Sequence, residues 1–144
     1  MDPTRLDSLQ RALAEDRLID IVTRGAKSGT TRTTEIWFTK IGDEIFICGT
    51  PSADGSQGSR RRRDWLANLK AHPEFTFVLK ESVGAALSAI GTVITDRDER
   101  TRVFSSPATK WYRDQAGSVA RLVDEAPLVK VTFVGAASPL NRRD

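Results

Sequence analysis

Leu6, Leu9 and Leu13, with Leu18 beyond them, recur every three to five positions among charged and polar neighbours. That spacing keeps apolar side chains on one helix face and predicts a helix over residues 4–17, capped by Thr4 or Asp7. Ile19, Ile21 and Val22 follow as a short β-branched run ended by Arg24-Gly25, and residues 25–32 are a polar loop with two glycines. Threonines and aromatics mark Thr33 to Ile41 as a strand, which Gly42-Asp43 turns into a second strand, Glu44–Cys48. Gly49 to Ser59 holds three glycines, three serines and a proline and reads as a loop. A helix is expected from about Arg61 to Ala71, with Trp65, Leu66 and Leu69 on one face and Pro73 as its stop.

Phe75, Phe77 and Leu79 alternate with Thr76, Val78 and Lys80, a strand pattern. Residues 84–95 fit a strand through Thr92-Val93-Ile94-Thr95 and their glycines, with a helix as the competing assignment. Helices are expected at Asp96 to about Val103 and Tyr112 to Val123, then a strand from Leu128 to Val134 and a frayed tail over 136–144. No internal repeat is visible. Short strand-to-strand connections favour antiparallel pairing over a doubly wound α/β sheet. The expected fold is mainly β with flanking helices (α+β): one domain over residues 1–144, a small antiparallel barrel with helices packed outside and residues 1–17 as the N-terminal helix.

Composition narrows the chemistry. The 144 residues are 39% hydrophobic, with a mean hydropathy of -0.35, which fits a soluble globular chain and excludes a collagenous, disordered or integral membrane one. One cysteine, Cys48, excludes an intramolecular disulfide and fits a reducing compartment. With one histidine, His72, no His/Cys zinc cluster forms within one chain, and a Ser-His-Asp triad hangs on that same residue. The N-terminus has no apolar signal segment, and the weakly polar stretch from Val83 to Ile94 is too short to cross a bilayer, so a cytoplasmic location is expected. Net charge is only +3, but its distribution is uneven: Arg60, Arg61, Arg62 and Arg63 form one run, and Arg24, Lys27 and Arg32 a looser cluster.

The sharpest chemical signal is Lys27-Ser28-Gly29 with Arg32 leading into a strand. One reading is an anion cradle, with lysine as a point charge, arginine as a bidentate fork, and Ser28 and backbone N–H groups as donors. The other is an ordinary solvated hairpin loop. It is not a P-loop, since the Gly-x-x-x-x-Gly-Lys-[Ser/Thr] spacing is absent. The arginine run has three readings: a solvated helix start, a contact for a polyanionic ligand, or a nucleic-acid contact. Four cations at a helix start oppose the macrodipole, which favours an anion nearby. Trp37 and Trp65 are pocket walls or core residues. Cys48 reads as a small buried hydrophobe, His72 as a polar helix end, and Asp96 and Asp98 as a helix start.

The segment Thr23-Arg24-Gly25-Ala26-Lys27-Ser28-Gly29-Thr30-Thr31-Arg32 resembles the Thr-x-Gly-Arg-Lys-Ser-Gly-x-x-Arg motif of the deazaflavin-dependent nitroreductase family. That family belongs to the flavin and deazaflavin oxidoreductases with the FMN-binding split β-barrel fold. A second landmark, Trp followed by Asn-Leu and then Asn-Pro, is matched by Trp65, Asn68-Leu69 and His72-Pro73. The likeness spans roughly residues 18–80.

The resemblance implies a groove for coenzyme F-420, a deazaflavin with a phosphate-bearing polyglutamate tail, or alternatively for FMN. Lys27 and Arg32 would hold phosphate or carboxylates, assisted by Ser28. Thr34, Thr50, Trp65 and Asn68 would complete the cofactor contacts, with Arg61, Arg62 and Arg63 beside the tail. Trp37 would face the substrate, and Trp111 and Tyr112 are further candidate pocket aromatics. The chain departs from the pattern at Ala26, where the family has Arg, at Leu66, where it commonly has Tyr, and at Thr50-Pro51, where many members have Ser-Lys. The implied activity is hydride transfer from reduced cofactor to a quinone, nitro or similar electron-poor acceptor. The cofactor carries that chemistry, so no side chain is assigned a catalytic role. The alternatives are a non-catalytic cofactor- or lipid-binding barrel and a nucleic-acid adaptor. The expected partners are a small-molecule acceptor and a second copy of the chain, with no nucleic acid and no metal.

Overall fold

The computed structural model describes residues 1–49 and 64–141; Thr50, Arg61, Arg62 and Arg63 lie outside the described residues. Helix α1 runs Pro3–Glu15, and Asp2, rather than Thr4 or Asp7, is its cap: the Arg5 amide donates to the Asp2 carboxylate at 3.1 Å. Pro3 explains the earlier start, because its fixed φ suits the first helical turn and its missing N–H is not needed there.

Strands β1 (Leu18–Arg24), β2 (Thr31–Ile41), β3 (Glu44–Cys48), β4 (Glu74–Leu79), β5 (Ala85–Val93) and β6 (Leu128–Phe133) close into an antiparallel barrel in the order β1-β2-β3-β6-β5-β4. Strand β1 pairs with β2 on one side and with β4 on the other, with Ile19 opposite both Ile36 and Leu79. Residues 84–95 are thus mainly strand rather than helix. Gly42 takes the positive φ, 61°, at the first position of the β2–β3 turn, as the order Gly-Asp requires.

Alternation along the strands sorts the side chains. Ile19, Ile21, Phe77, Leu79, Ile45, Ile47, Val129 and Val131 point into one core, crossed by an edge-to-face chain of Phe38, Phe77 and Phe133 with successive ring centroids 5.3 Å apart. Leu9 and Leu13 of α1 join it, as do Trp65 and Leu69 of helix α2 (Asp64–Ala71). Helix α2 crosses β5 closely at Gly91, where a Cβ would lie 3.0 Å from Val129 and 3.3 Å from Leu69.

Strand β3 is buried on both faces, which is why Ile45–Cys48 is a continuous apolar run rather than an alternating one. Its outward residues, Phe46 and Cys48, start a second core beneath helices α3 (Arg97–Phe104), α4 (Lys110–Ala116) and α5 (Val119–Glu125), with Phe104, Tyr112, Leu122 and Leu128. The single helix expected from Tyr112 to Val123 is two. Gly117 adopts φ 89°, a left-handed C-cap, and Ser118 caps the next helix through the Arg121 amide. Of the tail expected to fray, residues 136–141 are ordered, and 142–144 lie outside the described residues. Residues 135–141 form a 3-10 helix that buries Ala137 and Leu140, and the Asn141 amide bonds both backbone groups of Phe133. Among the described residues no helix is long and apolar enough to cross a membrane.

Candidate functional site

The β1–β2 loop is braced by its own backbone. The Gly25 amide donates to the Thr30 carbonyl at 2.7 Å and the Gly29 amide to the Gly25 carbonyl at 3.0 Å. Ser28 Oγ lies 2.8 Å from Thr30 Oγ1 and accepts from the Thr30 amide. A Cβ on Gly25 would sit 2.6 Å from that Ser28 oxygen, and Gly29 has φ 73°, so both glycines are required by the loop's shape. Ser28 therefore serves the loop itself first.

Two residues of α2 meet this loop and the strand that follows. The Ala26 amide donates to Asn68 Oδ1 at 2.9 Å, and Asn68 Nδ2 donates to Thr23 Oγ1 at 3.1 Å. Asn68 is 5% exposed and Thr23 1%, so the bond between them is buried, while the bond from the exposed Ala26 is part-buried. Asp64 pairs with Arg32 at 3.6 Å, with both groups largely in water. Lys27 is exposed and has no hydrogen bond or ion pair among the described residues. With Asp64 counted, the cluster of Lys27 and Arg32 keeps one unbalanced positive charge. Two cations on a braced, glycine-shaped turn fit an anionic group such as a phosphate.

The other end of β2 carries different chemistry. Trp37 lies opposite Leu18 on the outer face of the barrel and is 37% exposed, so it is not a core residue. Its ring centroid is 4.9 Å from that of Trp111 on α4, which is 42% exposed, with 43° between the planes. Trp111 meets Tyr112 edge-on at 5.1 Å. Tyr112 itself is buried in the second core rather than on the pocket surface; its hydroxyl has no hydrogen-bond partner among the described residues, and burial pushes its pKa up. Arg113 fixes this helix by donating to the carbonyls of Phe104 and Ser106, at 2.8 and 2.7 Å. Thr39 on β2 donates to the Ala108 carbonyl at 3.3 Å, tying the preceding turn to the same strand.

Of the residues singled out from the sequence, Lys27, Ser28, Arg32 and Asn68 come together at one end of β2, while Trp37 lies five positions beyond Arg32, roughly 17 Å along an extended strand. Thr34 lies between them, half-buried and opposite Ile21. Trp65 is a core residue at 4% exposed. Burial pushes the Cys48 thiol up, which keeps it neutral, and Asp96 caps α3 through the Glu99 amide. Thr23 opens the motif of the lysine loop without a role assigned from the sequence; its bond to Asn68 depends on how α2 packs against β1. A groove of about 390 Å³ between Leu66, Lys70, Val93, Arg97 and Pro127 is lined by none of these site residues. Among the described residues no group of histidine, cysteine and acidic side chains could hold a metal.

A family model described as F-420H(2)-dependent quinone reductase matches residues 8–123. No curated protein matches the chain. Among solved structures, the chain is similar to a protein related to general stress protein 26 of B. subtilis (pyridoxinephosphate oxidase family) from Clostridium acetobutylicum. The TM-score is 0.65 at 11% identity, over 92% of this chain and 86% of that one. A structure named F-420 reductase is similar with TM-score 0.55 and 14% identity, over 88% and 93% of the two chains. An FAD-binding protein from Mesorhizobium loti gives TM-score 0.55 and 11% identity, over 94% and 91%. At these identities the structural likeness concerns the fold, a split β-barrel.

Proposed function

The chain belongs to the F-420H(2)-dependent quinone reductase family, an oxidoreductase family whose cofactor is coenzyme F-420, and from that premise we propose that it reduces a quinone beside β2. The observation that carries this reading is the layout of that strand: a braced loop whose Lys27 has no ion-pair partner among the described residues at one end and the exposed Trp37–Trp111 pair at the other. When bound, the reduced deazaflavin supplies the hydride. Lys27 and Arg32 bind the cofactor's phosphate or carboxylates, and Ser28 shapes the loop that presents them. Thr34 and Trp65 support the strand and helix flanking the cofactor. Trp37 and Trp111 offer indole faces against which a planar, electron-poor ring stacks while water is excluded. Outside the described residues, Thr50 belongs to the same proposal as a ring contact on grounds of the family resemblance, and Arg61, Arg62 and Arg63 as tail contacts on grounds of charge.

Titrating the purified protein with F-420 and with FMN, followed by quenching of ring fluorescence, tests the binding half. F-420 is expected to bind more tightly, because its tail adds carboxylates to the single phosphate both share. Turnover of reduced F-420 with a soluble quinone and with a nitroaromatic tests the other half. Binding without turnover of any acceptor would make the barrel a cofactor carrier instead.

A further inference from the structure

Asn68 is matched by family pattern to a cofactor-contacting position, yet its amide is spent inside the protein. Its oxygen accepts from the Ala26 backbone and its nitrogen donates to Thr23, with only 5% of the residue exposed. The loop it meets is internally stiff, held by the Gly25–Thr30 and Gly29–Gly25 backbone bonds and by the Ser28–Thr30 contact. A stiff loop of this size moves as one body, so an anchor at one point sets where all of it sits. Among the described residues, the side chain reaching residues 25–30 from outside the loop is Asn68, and it holds the amide immediately before Lys27.

We infer that Asn68 and Thr23 form a positioning latch, which sets the reach of Lys27 toward an anionic ligand without touching that ligand. This rests on the reading of the loop as the cofactor's anion site. Asn68 sits one turn beyond Asp64 on α2, so the same short helix places both the lysine loop and the counter-ion of Arg32. Burial makes the latch directional: losing the Asn68 amide leaves the buried Thr23 hydroxyl without this partner and frees the exposed Ala26 N–H from α2, so the loop can shift. The charge of Lys27 is unaltered by such a shift; its placement is not.

The test is a double-mutant cycle read by cofactor affinity. Asn68→Ala is expected to weaken F-420 binding about ten-fold, with kcat at saturating cofactor unchanged. In a Lys27→Ala background the same substitution should cost nothing further. Thr23→Val, which removes the hydroxyl at constant shape, should give a smaller loss in the same direction, and Thr23→Ser should restore wild-type affinity. The threonine pair keeps the test open if Asn68→Ala fails to fold. Losses from Asn68→Ala and Lys27→Ala that simply add would overturn the latch alone and make Asn68 an independent contact. So would wild-type affinity in both Asn68→Ala and Thr23→Val beside a clear loss in Lys27→Ala. Unchanged affinity in Lys27→Ala itself would remove the anion site, and the latch with it.

Discussion

In the proposed site the two ends of β2 solve recognition in opposite ways. At the Arg32 end the proposed binding groups are set by backbone bonds within a few residues, by two glycines, one crowded by Ser28 and one at positive φ, and by one buried amide from α2. At the Trp37 end they are two exposed rings from distant parts of the chain. Those rings meet because Arg113 and Thr39 fix a seven-residue helix and the turn before it. A charged ligand is recognised by placing a cation and leaving it without a counter-ion, which a rigid turn does well. A flat apolar ligand is recognised by area, which two large rings supply wherever the tertiary structure brings them together.

If that division is right, the two ends can be damaged separately. Lys27→Ala should weaken F-420 binding by about 1.5–3 kcal/mol, ten- to a hundred-fold or more, while the acceptor KM at saturating cofactor stays unchanged. Trp111→Ala should do the reverse, raising the acceptor KM roughly five- to ten-fold, the worth of one aromatic contact, with F-420 affinity unaltered. A single variant that shifts both constants together would mean that the ends form one site.

A smaller effect sharpens the electrostatic half. Asp64 neutralises part of Arg32 through an exposed pair, and such pairs are worth about 0–1 kcal/mol. Asp64→Asn should therefore tighten F-420 by at most about five-fold, a gain that disappears when salt is raised and the Debye length shrinks. Equal or weaker binding in that variant would show that Arg32 does not face the cofactor.

The smallest expected effect concerns acid. Glu81 accepts from the amides of Leu18 and Arg17, and these bonds hold its carboxyl below the ordinary carboxylate range. A depressed folded-state pKa contributes stability that is complete above the unfolded value and is lost as pH falls through the folded one. Leu18 lies opposite Trp37, so loosening is expected at the aromatic end first. Between pH 5 and pH 3 tryptophan fluorescence should change before global unfolding, and Glu81→Gln should flatten that change. Lys80 works in the other direction. Its contacts with Asp20 and Glu35 raise its pKa, so that contribution is present at neutral pH and is lost only above the ordinary lysine range.

What could be read from the sequence follows the same division. The lysine loop, the Gly-Asp turn and the alternation of Phe75, Phe77 and Leu79 are local, and local rules predict them. The Trp37–Trp111 contact joins residues far apart in the chain, and no spacing rule connects them. Asn68 stood within a recognisable pattern, but the direction its amide faces depends on how α2 lies across β1, which periodicity does not encode. Gly117 was visible in the sequence, yet a helix over Tyr112 to Val123 looked continuous because a glycine within a helical pattern is tolerated as often as it terminates one. The order of residues 135–141 is not legible in the sequence because Ala137 and Leu140 are too few to show a period, although both are buried once α1 and the barrel cover them.

The barrel's closure also limits how this protein can meet others of its kind. Every strand has a neighbour on both sides, but β2 meets β3 only over Phe38–Ile41, so among the described residues Thr31–Trp37 has a strand partner, β1, on one edge alone. Growth by adding strand to strand, the route by which open sheets assemble and aggregate, is confined to such short stretches. Elsewhere a second copy must be recognised by its side chains, which makes association there a property that single substitutions can create or abolish without altering the fold.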